Sequence, residues 1–269
     1  MIALINKELQ SEAAKNKLVE LQNKLDLISE IAEKITESEN LWKNKISNKE
    51  FKEIRKELAQ MSFGNNRCCY CEDALAYTIE HFYPKAVYPE KTFIWDNYLY
   101  ICGECNSNKN AKFPIFINEE KTHINFATVD NKNESYVLLN PRFDNPLNFI
   151  WLDLETFVFV ADELDNQTTR YLRASNTLEV LNLDSEERAE TLRNQRRIAF
   201  KNYANMVEVY KTHKEKCETK VEIDANEQEF KNYIQEMSHP TVWEEMKRQC
   251  KFYPFLQKLF EDCKEVLAW

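Results

Sequence analysis

Cys68-Cys69-Tyr70-Cys71 and Cys102-Gly103-Glu104-Cys105 are two C-x-x-C pairs separated by 30 residues. Between them lie Ile79-Glu80-His81-Phe82-Tyr83-Pro84-Lys85 and Trp95-Asp96-Asn97-Tyr98-Leu99, and directly after them Asn106-Ser107-Asn108-Lys109. These strings decide how the 269-residue chain is read. Each cysteine pair can present two thiolates from a tight knuckle, and four thiolates close a tetrahedral zinc shell. A closed shell holds structure and does no chemistry. Cys68, Cys71, Cys102 and Cys105 are therefore assigned to a structural zinc, with Cys69 turned away from it. Cys217, Cys250 and Cys263 have no close pairing and read as buried helix residues.

The residues around the knuckles carry the chemistry. A hydrolytic site needs a water deprotonated near neutral pH, and imidazole is the side chain suited to that. A divalent cation beside it would neutralise charge developing on a leaving oxygen. Magnesium prefers oxygen ligands and keeps several waters, so one carboxylate plus one amide oxygen is a sufficient protein share. His81 is the candidate base, and Glu80 and Asn106 are the candidate ligands of a catalytic Mg2+ or Mn2+. The alternative for Glu80 is a salt-bridge partner. Adjacent strand residues point to opposite faces, so joint service by Glu80 and His81 requires a bulge or twist. Lys85 and Lys109 are candidate phosphate contacts, against the alternative of solvated lysines. His123, His213 and His239 read as structural.

The order of these strings resembles the HNH endonucleases: C-x-x-C, an acidic residue with His, an Asn, then C-x-x-C followed at once by His or Asn. Asn106 as the third letter gives the HNN variant. The resemblance covers about residues 67–112. Tyr98 departs from it by replacing part of the usual Asn-Leu pair. It implies a ββα-metal core in which His81 ends the first strand and Asn106 starts the helix. Asn97 then comes from the second strand and orients the His81 ring as part of the catalytic set. Further strings, His81-Phe-Tyr-Pro-Lys85, Asn140-Pro-Arg142 and the region Arg173 to Arg188, look like the PtuB family of HNH subunits. Those belong to Septu anti-phage systems and related retron-linked defence operons, and work beside an ATPase, PtuA. The resemblance thus implies a PtuA-like ATPase partner and a nucleic acid substrate, DNA first and RNA second.

Composition sets the outer limits. The chain has two glycines, Gly64 and Gly103. A Rossmann fingerprint, a P-loop or a nucleophile elbow needs glycines within a few residues of one another. Any ATP dependence must therefore come from another polypeptide. Formal net charge is −9, with 36 Lys+Arg against 45 Asp+Glu. Long-range attraction to a phosphate backbone is consequently weak or local. One local exception is the stripe Arg193, Arg196, Arg197 and Lys201, which either tracks phosphates, docks an acidic partner or pairs with Glu186, Glu187 and Glu190. No export signal opens the chain, and no run approaches the ~20 apolar residues of a membrane span. Eight cysteines in that setting favour metal ligands or buried thiols over disulfides. The expectation is a cytoplasmic protein with no membrane association.

Residues 1–62 form a charged helical region. Leu18, Leu21, Leu25, Ile28, Ile31 and Ile35 make one apolar stripe. Ser47-Asn-Lys-Glu50 reads as a capping box opening a helix with Phe51, Ile54, Leu58 and Met61 inward. Residues 63–125 are the zinc-knuckle module. In 126–269, Tyr136–Leu139 reads as a short strand, and Phe149–Leu154 with Thr156–Ala161 as a β-hairpin. Helices follow: one capped at Asp184-Ser-Glu-Glu187 and running to about Lys211, one opening at Asn226, and one after Pro240 that bends or breaks at Pro254. The fold class is α+β, mainly helical, with a central zinc-stabilised ββα-metal core and a small β-hairpin. The function that follows is a metal-dependent HNH endonuclease partnered by an ATPase. The alternatives are a stand-alone HNH nuclease and an inactive zinc-knuckle module for nucleic-acid binding or assembly.

Overall fold

The computed structural model describes residues 1–269 apart from 45–47, 65, 133–134, 162–167 and 185. The N-terminal apolar stripe is divided between two helices. Ser11 caps α1 (Glu12–Asp26) by accepting the Ala14 N–H, and Glu30 caps α2 (Ile31–Lys43) by accepting the Glu33 N–H. Leu18, Leu21 and Leu25 are buried on α1, whereas Ile28 packs at the edge of the cluster. Asn48 caps α3 (Lys49–Ala59) by accepting the Glu50 N–H. Ser47, the expected head of that cap, lies outside the described residues. Phe51, Ile54, Leu58 and Met61 are all buried, as their spacing predicts.

The middle of the chain runs strand, strand, helix. β1 (Thr78–His81) pairs antiparallel with β2 (Tyr98–Ile101), Glu80 opposite Leu99 and His81 opposite Tyr98. α4 (Gly103–Lys109) follows β2 at once. Side chains alternate across a strand, and here both faces are used. Ile79 and Tyr98 join the cluster built by α1 and α3. Leu99 and Ile101 join a larger core that holds the paired cysteines and the C-terminal helices. Arg142 fixes the entrance to β2: its guanidinium donates to the carbonyls of Trp95 and Tyr98 and to Asp96.

A second hairpin, β3 (Pro114–Phe116) with β4 (Ile124–Phe126), lies in a stretch the sequence marks only as irregular. Tyr136–Leu139 is not a strand; it touches β3 through a single bridge between Tyr136 and Ile115. Val137, Leu138 and Leu139 are buried consecutively, which suits a segment enclosed on all sides better than a two-faced strand. The expected third hairpin is present as β5 (Ile150–Leu152) and β6 (Phe159–Ala161).

The rest is helical: α5 (Thr169–Val180), α6 (Glu186–Lys214), α7 (Lys220–Glu236), α8 (Pro240–Arg248) and α9 (Pro254–Glu261). The cap expected at Asp184–Glu187 includes Ser185, outside the described residues. α7 opens earlier than Asn226, because Thr219 and Glu222 form a reciprocal capping box. A turn at Cys250–Phe252 separates α8 from α9, and Pro254 sits in the first turn of α9, where a missing N–H costs nothing. Gly64, at φ +64°, brings the chain against α7; a Cβ there would lie 2.7 Å from the Met237 carbonyl oxygen. Among the described residues no helix is long and apolar enough to cross a membrane.

Candidate metal centre and active site

The two C-x-x-C pairs converge. Cys68 and Cys71 come from the loop before β1. Cys102 caps α4, its sulfur accepting the Cys105 N–H at 3.4 Å. The four Sγ atoms lie within 4.8 Å of one another, all buried. Cys71 and Cys102 sulfurs stand 3.8 Å apart; the edge of a tetrahedron with Zn–S bonds of about 2.3 Å is about 3.8 Å. None of the eight cysteines is in a disulfide. The donor set fits zinc, which prefers thiolates in this number and arrangement. Cys69 is buried outside the cluster, as expected. The remaining cysteines differ from expectation: Cys263 is buried, Cys217 and Cys250 are only half-buried, and none of the three sits within an α-helix.

Beside the cysteine cluster is a cleft of about 310 Å³ whose lining includes Glu39, Trp42, Glu80, His81, Lys85 and Asn106. His81 ends β1 and is 5% exposed. Its Nε2 is 2.9 Å from the Thr92 carbonyl oxygen. The imidazole packs against the Trp42 ring at 4.2 Å between centroids and edge-on to Tyr98 at 5.4 Å. Both contacts lie on the face of the hairpin turned toward α1 and α3. Glu80 takes the other face, where its carboxylate meets the Lys109 ammonium at 2.7 Å. Burial pushes the Glu80 carboxyl above its ordinary pKa, and Lys109 pulls it back. Both residues still line one cleft, and the ladder from Thr78 to His81 runs without a bulge.

Three placements correct the sequence reading. Lys109 is not a surface phosphate contact: it is fully buried, and its ammonium also donates to the His81 carbonyl at 2.8 Å. Asn106 lies within α4 rather than at its start, and its carbonyl accepts the Asn110 N–H that ends the helix. Asn97 sits not on the second strand but in the turn Trp95–Asn97 just before it. Its amide accepts from the Tyr83 N–H and donates to the carbonyls of Tyr83 and Lys91. It therefore clamps the loop that carries Thr92, the residue whose carbonyl meets the imidazole. Lys85 lines the cleft and remains half-buried.

The basic stripe on α6 is also incomplete. Arg196 is buried, its guanidinium 3.8 Å over the Phe159 ring and donating to the Phe157 carbonyl. Arg197 and Lys201 are exposed. The three remaining histidines lie away from the cleft. His239, for example, is buried with Nε2 3.3 Å from Asp73.

No family model and no solved structure matches the chain. A match does exist to the Septu protein PtuB of Bacillus thuringiensis. The two sequences are 29% identical over 136 residues. The match takes in 49% of this chain and 42% of PtuB, so it spans less than half of that relative's length.

Sequence reasoning missed three contributors. Glu39 and Trp42 enter the cleft from α2, and Arg188 reaches the cysteines from α6. None is adjacent in sequence to the motif it serves, so no local pattern marks it.

Proposed function

We propose that the chain is a metal-dependent endonuclease of the HNH type, the nuclease subunit of an ATPase-partnered anti-phage assembly. The observation that carries this reading is the meeting of Glu80, His81 and Asn106 on one cleft beside a cluster of four cysteines. His81 is the base that takes a proton from the attacking water. Glu80 and Asn106 offer hard oxygen donors and are the side chains that would hold Mg2+ or Mn2+. Such a cation, when bound, neutralises charge on the phosphate and leaving oxygen. Lys85, on the wall of the cleft, is the phosphate contact in this reading. Asn97 acts indirectly: it fixes the loop whose Thr92 carbonyl fixes the imidazole. The structural zinc would be held by Cys68, Cys71, Cys102 and Cys105, and Cys105 carries Asn106 as its chain neighbour.

The partial likeness to a Septu protein supports placing the chain in anti-phage defence. The partner follows from two further properties. Two distant glycines leave no nucleotide loop, and net −9 disfavours unaided capture of nucleic acid. A PtuA-like ATPase would supply both nucleotide hydrolysis and delivery.

His81→Ala is the test. It should lower magnesium-dependent cleavage by about 10²–10⁴-fold, with circular dichroism and zinc content unchanged. Wild-type turnover by that variant would remove His81 from the mechanism. Co-expression with a PtuA-like ATPase and size-exclusion chromatography test the partner. Elution of the chain alone, with efficient cleavage unaided, would favour the stand-alone nuclease.

A further inference from the structure

We propose that Arg188 is a positioning residue of the metal centre, holding the Cys105 sulfur and retaining the metal. The inference rests on the zinc reading above. Arg188 stands near the N-terminal end of α6, far along the chain from the knuckles, yet its Nη2 donates to Cys105 Sγ at 3.2 Å. The guanidinium is held in that orientation from two other sides. Nη1 donates to the Leu181 carbonyl at 2.7 Å, and Nε lies 2.8 Å from the Glu104 carboxylate. The arginine is buried, whereas the Glu104 side chain is 58% exposed. The Glu104 pair is therefore of the weak, solvent-screened kind, and the sulfur contact is the enclosed one.

Charge explains why a guanidinium belongs there. Four thiolates around Zn2+ leave about two negative charges in a buried site. An uncompensated buried charge is costly. An arginine at hydrogen-bond distance from one sulfur offsets part of it. The N–H···S bond also fixes the direction in which the Cys105 sulfur faces the other three. Contacts of this outer kind typically change metal affinity about 10–100-fold when removed. Arginine suits the task better than lysine, because its planar fork donates to the sulfur and to the carbonyl at once.

Position matters as much as charge. Cys105 is the ligand next to Asn106, so the same bond fixes the start of the α4 turn that carries the cleft amide. The metal centre thereby includes a residue of the C-terminal region, and α6 is part of its frame.

The test compares wild type, Arg188→Lys, Arg188→Met and, as a control on the same helix, Arg197→Ala. Zinc content is measured by elemental analysis, and release is timed with excess chelator and a colorimetric zinc indicator. Cobalt-substituted protein reports the sulfur-to-metal charge-transfer band. Arg188→Met should release zinc about 10–100-fold faster and shift that band. Arg188→Lys should fall between it and wild type, and Arg197→Ala should match wild type. Should Arg188→Met fail to fold, the lysine variant still gives the release rate and the band position. Wild-type release and an unchanged cobalt band in the arginine variants would overturn the proposal. Wild-type protein without zinc would instead overturn the metal reading, and this inference with it.

Discussion

The Lys109 ammonium and the Glu80 carboxylate meet at 2.7 Å inside the protein, tying α4 to β1 directly behind the cleft. Removing one partner of such a pair leaves the other charged and enclosed. Lys109→Met should therefore destabilise the protein by about 3–5 kcal/mol. The double variant Glu80→Gln with Lys109→Met should lose less than the single one. Urea denaturation of both decides it, and equal losses would dissolve the coupling.

Metal removal should act on folding as well as on the site. A structural zinc contributes binding free energy directly to folding. Cys71→Ser should yield aggregated or metal-poor protein, and chelation of the wild type should lower its melting temperature. Soluble, fully folded protein with no zinc by elemental analysis would contradict the assignment.

Trp42 covers the His81 ring at 4.2 Å. Trp42→Ala should open that ring to solvent and raise the rate at which diethylpyrocarbonate modifies His81. It should also cost stability, since the same indole packs against Phe51 and Tyr98. Trp42→Phe should lie between the two. Mass spectrometry of the modified peptide gives the rate, and equal rates in all three proteins would show that Trp42 is no barrier.

Glu245 offers a pH test well away from the cleft. The carboxylate is enclosed and accepts from the Leu152 N–H and the Gln249 amide, with Arg248 alongside. Burial raises its pKa above the ordinary 4.5, while Gln249 and Arg248 act in the opposite direction. The folded chain thus holds this proton more tightly than the unfolded chain. Its contribution to stability is complete below pH 4.5 and is lost as pH rises through the folded value. Glu245→Gln should gain on wild type as pH is raised across that interval. Denaturation curves that keep a constant separation at every pH would refute it.

What the sequence disclosed was local. Two C-x-x-C pairs point to a shared metal-binding cluster because each pair can ligate from a single turn, and the four sulfurs do converge. Phe51, Ile54 and Leu58 were legible because α3 buries one face. The missed features depend on distant neighbours. Nothing near Lys109 says that Glu80 will lie beneath it. Helical spacing shows that Arg193, Arg196 and Arg197 are close, but not that Phe159 will cover one of them. The apolar stripe of the N-terminal region continues across the break at Leu27–Glu30, so periodicity alone cannot see the cap that divides it. The β3–β4 hairpin has strands of three residues each, too short for alternation to register.

The β1–β2 hairpin is packed on both faces: Tyr98 looks into one core and Leu99 into the other. A module built this way does not travel as a cassette. Grafted onto another protein, it would need two new surfaces shaped to receive it. Lineages that keep this arrangement should therefore change their flanking helices and their knuckles in concert, and chimaeras exchanging only the stretch between the cysteine pairs should fail to fold.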